Sequence, residues 1–255
     1  MGLHGKRVLV TRAAHQAESL VRLLTERGAQ ALRYPCIAIA PPQDTTELDA
    51  IILDAARFDW LILTSTNTVH MLKQRADALG VGAVWSDVRV AAVGPKTAKV
   101  AKDLLQVSVD YVPDEHTADA LAATLLFNNR AKVVLPQSEL ADNTLAHNLT
   151  QSGADVTALT AYRNTIGAGG DAIAGTVDAL TFTSGSTVQN LITRWQAEGR
   201  DVASLFDLPV ACIGPVTGDV AAECGFQQIV IPDTYTAAMM VAALDHFFVT
   251  ETVNE

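Results

Sequence analysis

The chain has 255 residues, 49% of them hydrophobic and 18% charged, with a formal net charge of −10. That length suits one large domain or two of ordinary size, and that apolar content excludes a disordered chain. The acidic balance speaks against a general nucleic-acid binder, which shows a basic face, but not against an anionic small substrate in a locally positive cleft. No apolar stretch is long enough to span a membrane, and the run Val8-Leu9-Val10 is too short for a secretory signal. Cys36, Cys212 and Cys224 show no Cys-x-x-Cys spacing; Cys36 and Cys212 sit inside apolar runs and are expected as small buried thiols, in a reduced, cytoplasmic protein.

The first element reads as a buried strand from Lys6 to Thr11, followed by a helix from Ala14 to Arg27 that Gly28 stops. Thr11 and Arg12 sit at the strand end, read equally as a cap with a solvated Arg or as a hydroxyl and guanidinium facing a ligand. Ala31 to Ala40 is extended, and Pro41-Pro42 closes it as a stiff junction. A helix over Thr46 to Ala56 precedes a buried strand, Phe58 to Thr64. The polar stretch Thr64-Ser65-Thr66-Asn67-Thr68 then opens a helix from Val69 to Leu79, either as caps or as ligand contacts. Arg89 to Val93 leads into Gly94-Pro95-Lys96-Thr97 and a helix to Leu105. A short strand, Ser108 to Val112, and a helix, Ala118 to Phe127, follow, and Asn128-Asn129-Arg130 is a polar break.

The pattern then restarts. A strand from Ala131 to Leu135 is followed by a helix over Leu140 to Ser152 that ends at Gly153, 125 positions after Gly28. Val156 to Ile166 is extended and carries Tyr162, and Gly167 to Gly170 is a flexible tract. The strand Asp178 to Phe182 ends in Thr183-Ser184-Gly185-Ser186-Thr187, where Ser184 lies 119 positions after Ser65. Val210-Ala211-Cys212 runs into Ile213-Gly214-Pro215-Val216-Thr217, and Gly214 lies 120 positions after Gly94. Pro232 matches Pro113 at an offset of 119. Matched features in one order are an internal duplication, with a period far longer than that of a solenoid.

In both Gly-Pro turns the Gly permits a sharp turn with φ of either sign, and the Pro suits the first turn of a helix. Strands alternating with helices predict parallel sheets with helices on both faces. Ligands of such sheets bind beyond the strands' carboxyl ends, where helix N-termini offer backbone N–H groups to anions. The expected fold class is therefore α/β, in two similar lobes. No Gly-x-Gly-x-x-Gly, P-loop, Gly-x-Ser-x-Gly or metal-ligand spacing is present among the residues, so the sequence implies no cofactor and no metal.

These motifs, taken together, resemble those of the uroporphyrinogen-III synthases (the HemD family) over nearly the whole chain. The residues that carry the likeness are Val10-Thr11-Arg12, Asp59 to Asn67, Ala92 to Thr97, Ala161-Tyr162-Arg163-Asn164-Thr165, Phe182 to Ser186 and Ile213 to Thr217. The resemblance implies two flavodoxin-like α/β lobes joined by a two-stranded linker. It places a discontinuous first domain at residues 1–36 and 166–255, a second at 43–158, and linker strands at 37–42 and 159–165. It implies cyclisation of hydroxymethylbilane to uroporphyrinogen III, with loss of water and inversion of the last pyrrole ring through a spiro intermediate, without cofactor or metal. The implied chain is a monomer, open to transient contact with the preceding enzyme, hydroxymethylbilane synthase.

Residue by residue, the likeness makes Tyr162 the candidate proton donor to the leaving hydroxyl. It makes Thr11, Arg12, Ser65, Asn67, Gly94, Lys96, Thr97, Gln137, Ser138, Ser184, Gly185, Ser186, Gly214, Val216 and Thr217 candidate substrate contacts. Val216 stands where many members have Thr, and Gln137 to Asp142 replaces an Arg- and Gly-rich turn of many bacterial members. The other reading of the same residues is a two-lobed module that holds a carboxylate-rich ligand without turnover.

Overall fold

A computed structural model of the chain describes residues 2–127 and 130–254, with side chains to residue 250. In chain order the elements are β1 (Arg7–Val10), α1 (Ala14–Thr25), β2 (Gln30–Arg33), β3 (Ile37–Ala40), α2 (Thr46–Leu53), β4 (Trp60–Leu63), α3 (Thr66–Ala78), β5 (Arg89–Ala92), α4 (Pro95–Leu105), α5 (Ala118–Thr124), β6 (Lys132–Ser138), α6 (Thr144–Gln151), β7 (Asp155–Ile166), β8 (Ala179–Phe182), α7 (Gly185–Ala197), α8 (Ala203–Phe206), β9 (Pro209–Cys212), α9 (Pro215–Glu223), β10 (Gln228–Val230) and α10 (Ala237–Asn254). The chain divides into two units, Met1–Ala38 with Thr165–Glu255, and Ile39–Asn164. The division falls inside β3 and inside β7. No described helix is long and apolar enough to cross a membrane. The expected polar break at Asn128-Asn129 lies outside the described residues.

Unit 1 holds a sheet in the order β10-β9-β8-β1-β2, with every pair parallel. Numbered within the unit, that is the 2-1-3-4-5 order of flavodoxin-like folds, which reverses direction between β1 and β8. Alternation along the strands sends Val8 and Val10 against α1 and α10, where they meet Leu20, Leu24, Met240 and Leu244. Leu9, Leu180 and Phe182 face the other way, onto Val188 and Leu191 of α7 and Ala221 of α9. Burial on both faces is why these strands read as unbroken apolar runs.

Unit 2 holds β3-β7-β6-β4-β5. Here β7, β6, β4 and β5 are parallel and repeat the order of β2, β1, β8 and β9. The second unit is thus a circularly permuted copy of the first, with its reversal between β6 and β4. Leu61, Leu63, Val90 and Val134 pack on α2, α3 and α4, and Trp60, Ile62, Val133 and Leu135 pack on α5 and α6. The expected α/β class with helix-flanked parallel sheets is what the chain adopts.

Three sequence expectations change. The strand expected at Ser108 to Val112 is a single parallel bridge, Ala91 with Tyr111. Asp110 Oδ2 takes the Val90 N–H at 2.7 Å, so a side chain stands where a ladder bond would continue. That bridge still sits at the register of Ala211 with Val230 in unit 1. The helix expected from Leu140 starts at Thr144, because Ala141 N–H donates to Ser138 O and Thr144 N–H to Asp142 Oδ1, which close a turn first. The extended run Ala31 to Ala40 breaks between β2 and β3 at Tyr34-Pro35-Cys36, where Pro35 has no N–H to give a ladder.

Arg75 of α3 ties down the start of α2. Its Nε and Nη2 donate to the two carboxylate oxygens of Asp49 at 2.9 and 2.7 Å, and Nη2 also reaches Thr45 Oγ1 at 3.3 Å. Those bonds from Arg75 hold the Asp49 carboxyl below its ordinary range. A lowered folded value stabilises the fold above the unfolded value of about 4, and that contribution disappears as pH falls through the folded value. Asp49→Asn is expected to lower stability by about 1 kcal/mol at neutral pH, a paired but partly solvated ion pair. Urea unfolding at descending pH should show the difference from wild type closing below about pH 4. A difference that stays constant into strong acid would contradict the pairing.

Candidate active site

The polar turns of each unit fall at one edge of its sheet, the edge where the parallel strands end. In unit 2 the strand–helix turn after β4 is built around Ser65. Its backbone is extended and its Oγ accepts Thr68 N–H at 3.2 Å, which caps α3. The same Oγ lies 3.1 Å from Thr68 Oγ1 and 3.3 Å from Tyr162 Oη. Tyr162 is in β7 and only 8% exposed. A register shift between Gln137 and Ser138 sets Ser138 opposite Tyr162, and Glu139 N–H donates to Tyr162 O at 2.9 Å. Glu139 Oε1 in turn accepts Asn164 N–H at 3.0 Å. The bulge therefore fixes the strand on either side of the tyrosine. Gln137 and Ser138 end β6 at half-buried positions, with Ser138 Oγ accepting Leu140 N–H at 3.3 Å. Asn67 lies on the first turn of α3.

The turn after β5 starts α4 with Gly94 as its cap and Pro95 in the first turn. Its counterpart in unit 1 starts α9 with Gly214 and Pro215. Both glycines are extended, with φ of −153° and −172°, so freedom of φ is not why glycine stands there. Each glycine instead has a side chain lying over it at ordinary contact distance. A Cβ on Gly94 would lie 3.4 Å from His116 Cβ, and one on Gly214 would lie 3.4 Å from the Tyr235 ring. His116 and Tyr235, 119 positions apart, thus cover the two turns. Lys96 and Val216 project outward from the first turns, Val216 being 78% exposed. Thr97 and Thr217 face inward and are buried.

In unit 1 the turn after β8 is wired differently from its partner. Ser184 Oγ pairs with Ser186 Oγ at 3.0 Å and makes no capping bond, while Thr187 Oγ1 donates to Ser184 O at 2.6 Å. Gly185 is a packing position, because a Cβ there would come within 2.9 Å of Val220 Cγ2 in α9. Thr11 is fully buried, and its Oγ1 donates to Thr181 O at 2.7 Å while Thr181 Oγ1 donates to Leu9 O at 2.9 Å. These two hydroxyls lace β1 to β8, and what this turn presents is Arg12, whose Nε donates to Gln16 Oε1 at 3.0 Å.

Among the described residues no group of three His, Cys, Asp or Glu side chains could hold a metal ion. Burial pushes the Cys36 and Cys212 thiols up to about 12, so neither offers a thiolate at neutral pH. Unit 2 brings Ser65 and Tyr162 into contact. The sequence named those two, but not Thr68 as their partner and not His116 or Tyr235 as covers of the glycines. The offset of 119 between the two covering residues was the signal available for the last pair.

A family model described as uroporphyrinogen-III synthase HemD matches residues 18–242. A putative uroporphyrinogen-III synthase of Methanothermobacter thermautotrophicus is 33% identical over 246 residues, 92% of this chain and 96% of that one. The chain belongs to the uroporphyrinogen-III synthase family. The uroporphyrinogen-III synthase of Synechococcus elongatus is 31% identical over 257 residues, covering 96% of both chains. A crystal structure of a mutant uroporphyrinogen III synthase from the extremely thermophilic bacterium Thermus thermophilus shares the fold, with a TM-score of 0.55, 19% identity, and coverage of 97% of this chain and 100% of that one. The family is one of enzymes of tetrapyrrole biosynthesis, and the sequence-based assignment holds at that level.

The two serine turns give a stability test of the site's wiring. Ser65→Ala removes a capping bond and is expected to cost about 1 kcal/mol. Ser184→Ala removes no cap and should stay within about 0.5 kcal/mol of wild type. Equal losses in urea unfolding would contradict the difference between the two turns.

Proposed function

We propose that this chain closes hydroxymethylbilane to uroporphyrinogen III, with Tyr162 giving the proton on which the terminal hydroxyl leaves as water. The observation that carries the proposal is the placement of the Tyr162 hydroxyl beside Ser65, at the N-terminus of α3 and at the strand-end edge of unit 2. A phenol there has a proton to donate, and the positive end of a helix lies beside the charge it leaves behind.

The substrate itself supplies the driving chemistry. A pyrrole nitrogen pushes out the protonated hydroxyl and leaves an electron-poor azafulvene. The terminal pyrrole attacks it at its substituted carbon, the spiro intermediate fragments, and the ring closes inverted. Without guidance the open chain gives the uninverted isomer, so the protein's main task is to hold one geometry. The substrate's carboxylate arms suit the first turns of α3, α4, α7 and α9, because the opening N–H groups of a helix have no partner within the helix. Arg12 and Lys96 add positive charge to these edges. Gln137, Ser138, Asn67, Ser186 and the exposed Val216 complete the surfaces we assign to the substrate, and Gly94, Gly185 and Gly214 shape them.

The test supplies fresh hydroxymethylbilane, oxidises the products and separates the I and III isomers. Isomer III in excess over protein, with no added metal or nucleotide, is the expected result. Isomer I alone, with tight product binding, would replace the reading with that of a binding module. In the same assay Tyr162→Phe should lower turnover roughly tenfold or more, at the low end of general-acid effects. Unchanged turnover would remove the proton-donor role.

A further inference from the structure

The hydroxyl of Ser65 has three polar neighbours, and a hydroxyl has one proton and two lone pairs. Thr68 N–H is only a donor, so it occupies one lone pair, at 3.2 Å. Thr68 Oγ1 lies 3.1 Å away and Tyr162 Oη 3.3 Å away. The direction of those two contacts decides where the phenolic proton points.

Thr68 is fully buried, and Ser65 Oγ is the hydrogen-bond partner of its hydroxyl among the described residues. A buried hydroxyl proton needs an acceptor, so Thr68 donates to Ser65. Both lone pairs of Ser65 are then filled, and its own proton goes to Tyr162 Oη. The phenol accepts that bond and keeps its own proton for whatever lies beyond it. The duplication supplies an internal comparison. The matching Thr187 donates to a backbone carbonyl instead, Ser184 O at 2.6 Å, and leaves the Ser184 hydroxyl to Ser186.

We propose that Thr68 is a positioning residue, whose hydroxyl fills the last lone pair of Ser65 and so keeps the Tyr162 proton available to the substrate's leaving hydroxyl. This rests on the assignment of Tyr162 as proton donor. In the step, the phenolic O–H bond breaks as the leaving oxygen takes the proton, and the substrate's C–O bond breaks with its electron pair to release water. The phenolate is held by the Ser65 O–H. It regains a proton from the unsubstituted carbon of the terminal pyrrole when the ring finally closes. Without the Thr68 hydroxyl, Ser65 has a vacant lone pair, and the phenol turns its proton inward to fill it.

The experiment is a kinetic cycle on the whole chain with hydroxymethylbilane. Thr68→Val keeps the side-chain shape and the backbone N–H cap but removes Oγ. It should lower kcat roughly fivefold or more with KM nearly unchanged, part of the general-acid contribution. Thr68→Ser should restore kcat to within about twofold, and Thr68→Val should cause no further loss in a Tyr162→Phe background. Thr68→Ala takes the place of Thr68→Val in the cycle if the valine variant does not fold. A wild-type kcat in Thr68→Val, or the same loss with and without the phenol, would overturn the proposal and make Thr68 a packing residue. A Tyr162→Phe variant with undiminished kcat would overturn the proton-donor assignment itself, and Thr68's role with it. Loss in Tyr162→Phe alone would sink only the role of Thr68.

Discussion

The first turn of an α-helix leaves backbone N–H groups without partners inside the helix. In a parallel sheet every strand ends at the same edge, and the helix that follows each strand begins there. The fold therefore gathers unpaired donors and positive helix ends along one line in each unit. After β4, β5, β8 and β9 the intervening turns are so short that the helices begin within three residues of the strand ends. Helix N-termini are thereby available to the anionic ligand proposed for this acidic chain of net charge −10, beside Arg12 and Lys96. Capping by Ser65, the packing of His116 and Tyr235 over the glycines, and the hydroxyl lacing of β1 to β8 all serve to hold those turns in place.

The duplication is topological as well as sequential. Unit 1 is entered at its first strand and completed only after the chain has built unit 2, while unit 2, after the edge strand β3, continues from what corresponds to the third strand of unit 1. Each copy keeps the reversal of strand order, between β1 and β8 and between β6 and β4. That reversal is where a crevice opens in such sheets. At matched positions of the turns the two copies carry different side chains. Lys96 answers to Val216, His116 to Tyr235, and a Ser-Thr-Tyr hydroxyl set answers to a turn whose threonine serves the backbone.

The strands and most helices were legible because burial on both faces makes strands apolar throughout, and because Gly28, Gly153, Pro95 and Pro215 mark helix ends in ways that local geometry demands. The strand at Ser108 to Val112 was not legible as a single bridge, since one Asp110 side chain decides it. Gly94 and Gly214 were rightly placed at the turns but for the wrong physical reason. Their φ values do not call for glycine, and the side chains that cover them lie about 20 residues further on, where no local pattern reports them. Thr11 stands in a family motif, yet its hydroxyl is consumed by β8, a contact 170 residues away. Tyr162 and Ser65 were legible separately, but their contact spans 97 residues, and Thr68 gained meaning only once that contact was known.

The central claim is the proposal that the strand-end edge of each unit is a surface that accepts the carboxylates of a tetrapyrrole. Backbone amide shifts on titration with uroporphyrin III, the oxidised product, test it most directly. The account predicts shifts concentrated in the first turns of α3, α4, α7 and α9, with Thr66, Lys96, Ser186 and Val216 among them. Shifts confined to one unit, or gathered at the opposite ends of the strands around Asp59 and Asp178, would contradict it.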